Sequence, residues 1–183
     1  RLSGLANAVV LSRDGDVVGS CCSGGNRSRG IVLWDVLEED ENGDWALEER
    51  HAMCAGSLDY GVADDTALCL AFNTQSSRLV SGHQDYCIRI WEVGTGNMIS
   101  VLRGHSDIVN AVSFNYEATR IISASGSPGK QIDNTVRVWE TNNETCVAVL
   151  EGHKAAVLSL AVPPSCSYIV SASPDHNVHH WSL

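Results

Sequence analysis

Ser81, His83 and Asp85 stand at alternate positions in the segment SGHQDYCIRIW. These are the residue types of a nucleophilic triad: a hydroxyl to attack, an imidazole to take its proton and a carboxylate to orient the ring. His176, His179 and His180 supply the ligand type of a zinc site near the C-terminus. GSPGKQ, at 126–131, has the glycines and lysine of a phosphate-binding loop. Each chemistry meets an objection. Alternation along a strand sends His179 and His180 to opposite faces, away from a common ion. The phosphate loop needs Ser or Thr after its lysine, and Lys130 is followed by Gln131. A triad belongs to one active site, whereas the Ser-Asp-Trp frame around Ser81 recurs along the chain.

SASPDHNVHHW repeats the spacing, with Ser171, Asp175 and Trp181 four and six residues apart, as are Ser81, Asp85 and Trp91. SASGSPGKQIDNTVRVW keeps the distance from Asp133 to Trp139 but separates Ser123 from the Asp by six extra residues. GSCCSGGNRSRGIVLW keeps Ser20 and Trp34 and has no Asp. Ser81 to Ser123 is 42 residues and Ser123 to Ser171 is 48, a period that points to a propeller or solenoid. In two copies a Gly-His pair joins the frame, His105 and His153 each preceding their Ser by 18 residues. Counting back equally from Ser81 and Ser20 reaches Ala63 and Leu2, so these two copies are predicted to lack the His and to be less rigid there. Gly82-His83 is out of this register, at the end of a strand.

The elements that must position these residues are short alternating runs, VNAVSFN, TRIISAS, NTVRVWE and TCVAVLEG, bounded by Gly, Asn, Asp or Ser. Each repeat is therefore predicted to be four antiparallel strands. A Gly-His followed about 28 residues later by Trp-Asp or a near match resembles a WD-repeat β-propeller over essentially the whole chain. The literal dipeptide is Trp34-Asp35; Trp91-Glu92 and Trp139-Glu140 are variants, and Trp181-Ser182 departs from it. The repeats divide the chain into 1–36, 37–93 with an acidic insertion at 38–65, 94–141 with a loop insertion near 126–132, and 142–183, which lacks an outer strand.

The resemblance implies a hydrogen-bonded tetrad in each repeat: Trp indole to Ser hydroxyl, Ser to His, and His to Asp. It implies full tetrads at His105, Ser123, Asp133 and Trp139 and at His153, Ser171, Asp175 and Trp181, with partial ones at Ser81, Asp85 and Trp91 and at Ser20 and Trp34. The physical need is plain without the family, since each buried donor or acceptor left unpaired costs about 1–3 kcal/mol.

Four blades are fewer than the six to eight usual in that family, and the chain starts at Arg1 and stops two residues after Trp181. This predicts an arc of a larger, seven-bladed ring, with roughly three blades, about 120 to 130 residues, on the N-terminal side. A net charge of −10 disfavours nucleic acid or a membrane surface as the ligand of this segment. Seven cysteines without C-x-x-C spacing read as free thiols in a reducing compartment, hence an intracellular protein, cytoplasmic or nuclear. No carboxylate pair stands apart from the turn and surface acids, so neither catalysis nor a cofactor is expected.

Recognition residues are sought where the repeat is interrupted, because loops on a rigid frame carry binding. SGGNRSRG and SGSPGKQI are insertions on the Gly-His face and bring Arg27, Arg29 and Lys130, a basic rim for an acidic or phosphorylated segment. Residues 38–65 hold 10 of the chain's 22 acids. EEDENGD reads there as a hairpin and WALEERH as an outer strand; Trp45 and Tyr60 are the aromatic anchors that would meet a basic partner. The resemblance implies a non-catalytic scaffold for protein–protein interaction within a larger assembly. Alternatives are a substrate receptor of a ubiquitin ligase and a propeller subunit of an RNA-processing particle. The ligase reading wants Trp-Asp-x-Arg, whereas Leu37, Gly94 and Asn142 stand where the Arg would be.

Overall fold

The computed structural model describes residues 5–23, 30–37, 46–53, 66–130, 132–165 and 167–182. These form strands and turns only, arranged as four antiparallel meanders. The first sheet contains β1 (Leu5–Leu11), β2 (Val17–Ser23), β3 (Ile31–Leu37) and β4 (Ala46–Met53). The second contains β5 (Ala67–Phe72), β6 (Arg78–His83), β7 (Ile88–Glu92) and β8 (Met98–Leu102). The third contains β9 (Val109–Phe114), β10 (Arg120–Ser125), β11 (Val136–Glu140) and β12 (Cys146–Leu150). The fourth has three described strands, β13 (Ser159–Ala161), β14 (Tyr168–Ala172) and β15 (Val178–Ser182). The sheets are offset by one strand from the sequence repeats, since the strand after each Trp pairs with the sheet that contains that Trp.

Register is identical from sheet to sheet. Val18 faces Trp34, Leu79 faces Trp91, Ile121 faces Trp139 and Ile169 faces Trp181 across the second and third strands. Two residues along, Ser20, Ser81, Ser123 and Ser171 face Val32, Arg89, Arg137 and His179. Period-two alternation then divides each middle strand between two interfaces. Leu79 and Trp91 pack with Cys21, Ile31 and Leu33 of the first sheet, while Val80 and Ile90 pack with Val109, Ile121 and Trp139 of the third. Ile122 and Val138 continue the pattern toward Val157 and Ile169 of the fourth. The core is thus three successive inter-sheet layers, and the middle strands bury residues on both faces.

A polar clamp accompanies each layer. Near a register shift in the first strand, Asn7 Nδ2 donates to the Ala67 carbonyl at 2.9 Å, and Asn110 Nδ2 donates to the Val157 carbonyl at 3.1 Å. Between the second and third sheets a thiol takes this place, with Cys69 Sγ 3.5 Å from the Val109 carbonyl. Turns between first and second strands are fixed by side-chain acceptors: Asn73 Oδ1 receives the Ser77 and Arg78 amides, and Asn115 Oδ1 receives the Arg120 amide.

Candidate functional site

Each Trp indole N–H donates to the Ser two residues along from the residue that faces it: Trp34 to Ser20 and Trp91 to Ser81 at 2.8 Å, Trp139 to Ser123 at 2.9 Å, Trp181 to Ser171 at 2.8 Å. In the third sheet His105 Nε2 lies 2.7 Å from Ser123 Oγ, and its Nδ1 lies 2.9 Å from Asp133 Oδ2. A carboxylate only accepts, so Nδ1 carries the proton and Nε2 accepts from the Ser hydroxyl. The fourth sheet repeats the geometry, with His153 at 2.8 Å from Ser171 and 2.9 Å from Asp175. The amide after each His caps the same carboxylate oxygen, Ser106 N at 2.7 Å from Asp133 and Lys154 N at 2.8 Å from Asp175. One tetrad thereby ties the Gly-His connection, the middle strands and the turn between them.

Electrostatics follow from this packing. Burial lowers the His105 pKa from its ordinary value; the Asp133 hydrogen bond and charge oppose the shift, and the Arg137 charge adds to it. Burial pushes the Asp133 carboxyl up, but hydrogen bonds from His105, Thr135 and the Ser106 amide outweigh it and hold the group below the usual carboxylate range. The Gly of Gly-His is set by close approach: a Cβ on Gly104 would lie 3.0 Å from both Arg137 Nη1 and Trp139 Cη2. On Gly152 it would lie 3.2 Å from His179 Cε1 and Trp181 Cη2.

The second sheet corrects the sequence reading. It does have its histidine, drawn from the strand that carries the Ser: His83 Nε2 is 2.7 Å from Ser81 Oγ. Two residues apart on one strand, the two side chains share a face, so no loop histidine is needed. Gly82 between them serves the next interface, where a Cβ would lie 2.5 Å from Cys69 Sγ and 2.6 Å from Val109 Cγ1. Asp85 turns instead to Arg89, its two oxygens 3.0 and 2.7 Å from the guanidinium nitrogens. Ser81 is 0% exposed and His83 2%, so this Ser, His and Asp do not form a reactive centre. The first sheet keeps the Trp34–Ser20 bond, and Leu2 lies outside the described residues.

Of the recognition candidates, Lys130 is exposed, beyond a turn closed by its amide on the Ser127 carbonyl at 3.2 Å. Arg27, Arg29, Trp45 and Tyr60 lie outside the described residues, as does the EEDENGD segment. WALEERH contributes to β4, which begins at Ala46. His179 stacks on His153 with centroids 4.0 Å apart, and His180 stacks on Tyr168 at 4.7 Å, so the two neighbours face different ways. Among the described residues no cluster of His, Cys, Asp or Glu is arranged to hold a metal. No helix among them is long and apolar enough to cross a membrane.

A family model described as WD domain, G-beta repeat matches residues 54–92, 96–140 and 144–182. The chain is 29% identical over 96 residues to autophagy-related protein 16 of Arabidopsis thaliana, covering 52% of this chain and 16% of that protein. It is 33% identical over 67 residues to protein tipD of Dictyostelium discoideum, covering 37% and 11%. With nuclear distribution protein PAC1-1 of Uncinocarpus reesii it shares 37% over 59 residues, covering 32% and 13%. Solved structures of U3-55K and of the RRP9 WD40 repeats superpose on the whole chain with TM-scores of 0.77 and 0.78, each at 22% identity. This chain spans about half of each, 50% and 49% respectively.

Proposed function

Because the chain belongs to the WD domain, G-beta repeat family, we propose that it is a non-catalytic protein-binding module, an arc of a β-propeller that holds recognition loops on its Gly-His face. The observation that carries this reading is that, among the described residues, the Ser of each repeated frame is spent on an internal hydrogen bond. The Ser hydroxyls of the second to fourth sheets are 0% exposed and Ser20 is 3% exposed, each receiving a Trp indole. What remains for a ligand is the loop surface. Family membership sets this class of function, while partners are decided by particular side chains.

Both ends of the arc support completion by further sheets. Val9 and Leu11 of the first sheet occupy the register positions of Leu70 and Phe72, and are 63% and 60% exposed. On the fourth sheet Val178, the counterpart of buried Val136, is 69% exposed. The cysteines of the described residues are free thiols, which supports an intracellular setting, cytoplasmic or nuclear. The basic residues Arg27, Arg29 and Lys130, of which Lys130 lies among the described residues and is exposed, favour an acidic or phosphorylated protein segment.

Size-exclusion chromatography of the endogenous full-length protein, with mass spectrometry of the peak, tests the module reading. It predicts co-elution with defined protein partners in an assembly larger than the chain. Elution as a lone monomer, with turnover of a small substrate, would overturn it.

A further inference from the structure

Asp107 and Ser127 close a latch between the third sheet and the Gly-His connection that leads into it. The Ser127 amide and hydroxyl donate to the two carboxylate oxygens of Asp107, at 3.0 and 2.5 Å, and Asp107 is only 3% exposed. Beside the latch Gly126 is pinned twice, its amide donating to the Ile108 carbonyl at 3.1 Å and its carbonyl accepting from Asn110 Nδ2 at 2.6 Å. Past Ser127 the chain makes a tight turn. The Lys130 amide donates to the Ser127 carbonyl at 3.2 Å across Pro128 and Gly129, whose φ is +76°. Ser127 is half-buried, and Pro128, Gly129 and Lys130 are exposed.

The same four residues, Ser127-Pro128-Gly129-Lys130, present a hydroxyl in a pattern that proline-directed serine kinases take. Pro128 has no N–H and a fixed φ, which suits an enzyme groove that gives the amide after the target Ser no acceptor. Lys130 adds a cation three residues on. The chain's other Ser-Pro pair, Ser173-Pro174, supplies a contrast. It lies where the fourth sheet has no insertion, its hydroxyl donates to the Ala155 carbonyl at 3.1 Å, and His176 rather than a Lys stands three residues on.

We propose that Ser127 is a phosphorylation site for a proline-directed serine kinase, and that the phosphate holds the Asp107–Ser127 latch open. The kinase transfers the γ-phosphoryl group of ATP. The Ser127 Oγ–P bond forms, the bond from the γ-phosphorus to the β,γ-bridging oxygen breaks, ADP leaves, and the hydroxyl proton passes to the catalytic carboxylate of the kinase. That proton otherwise lies on Asp107, so Ser127 reacts only from the open latch. The product carries close to two negative charges and oxygens that accept rather than donate. It cannot restore the hydroxyl bond to Asp107, and it sets a dianion beside a buried carboxylate, so attraction becomes repulsion. Lys130, at the other end of the turn, is the counter-charge for the displaced phosphate. Gly126 keeps its own two bonds, which confines the release to Ser127 and the residues after it. The inference goes beyond the protein-binding reading and holds whichever partner the module takes.

The test is incubation of the full-length protein with ATP and a proline-directed serine kinase. Mass spectrometry maps the phosphate, and backbone hydrogen exchange is measured before and after. Ser127→Ala and Pro128→Ala run in parallel, and a peptide of residues 121–137 distinguishes a closed latch from a sequence the kinase does not read. The expected result is phosphate on Ser127 of the folded protein, none at that peptide in Ser127→Ala, and labelling about tenfold or more slower in Pro128→Ala. The amides of Ser127, Gly129 and Lys130 should then exchange about tenfold or more faster, with those of β10 and β11 unchanged. No phosphate on Ser127 of the folded protein overturns the site, whether or not the peptide is labelled, as does label on Ser173 in its place. Phosphate on Ser127 with unchanged exchange overturns the latch.

Discussion

His83 Nε2 and Ser81 Oγ are 2.7 Å apart although one residue separates them in sequence, the same distance at which His105 meets Ser123 from eighteen residues upstream. The Ser that accepts the Trp indole needs a second partner in a dry layer, and the chain meets that need by two routes. One ties a connection to the sheet, as with His105 and Asp133. The other stays within β6 and frees Asp85 to hold Arg89 at the start of β7.

His83→Ala is therefore expected to destabilise the protein by about 2–3 kcal/mol, through a cavity and an unpaired Ser hydroxyl. Urea denaturation at neutral pH measures it, with His105→Ala as the reference. A loss below about 0.5 kcal/mol would remove His83 from the network.

Trp139 is 1% exposed and Trp34 is only partly buried, though both donate to a Ser. Trp139→Ala should cost about 3–5 kcal/mol and Trp34→Ala clearly less, because the transfer and cavity contributions scale with burial. Equal losses from the two substitutions would mean that the indole hydrogen bond, rather than packing, dominates.

How much of this was legible is clearest at the residues themselves. The equal spacing of Ser and Trp specifies the pairing register, since a one-residue slip would turn Trp139 out of its layer. Gly104 and Gly152 are readable from the Gly-His register, and a Cβ at either would crowd the following Trp ring, at 3.0 and 3.2 Å. His83 was not readable as a partner, because a fixed offset of eighteen residues looks for the His in a loop, whereas a strand can supply it at two. The clamps of Asn7 and Asn110 are illegible for a related reason: each is the residue skipped at a register shift and reaches the neighbouring sheet, and irregular pairing leaves little trace in composition.

Stability should respond to acid through His105. Its folded pKa lies below the ordinary value because of burial, with the nearby Arg137 adding to the shift. Below about pH 6.5 the unfolded chain binds a proton that the folded chain refuses, so stability present at neutral pH is lost as pH falls, by at most about 1.4 kcal/mol per unit for this one group. The Asp133 contribution has the same sign but is lost only at lower pH, since its folded pKa lies below the carboxylate range. Urea midpoints at pH 7 and pH 5.5 should differ more for the wild type than for His105→Gln. Identical pH slopes would show that His105 is not held neutral.

Glu144 and Gly96 occupy equivalent places in the turns between third and fourth strands, each with its amide on a carbonyl four residues back, Glu140 at 3.0 Å and Glu92 at 2.8 Å. Both have positive φ, 60° and 71°, a conformation that costs a residue with a Cβ about 1–2 kcal/mol. Glycine relieves that cost at 144 but adds freedom to the unfolded chain, so Glu144→Gly should stabilise by a net of about 0.5–1 kcal/mol. Gly96→Ala runs the other way and meets a further obstacle, because its Cβ would lie 2.9 Å from His51 Cγ, a contact that joins this turn to β4 of the preceding sheet. Thermal melts of the two variants should move in opposite directions from the wild type. A destabilised Glu144→Gly would mean that its side chain makes a compensating contact in the turn.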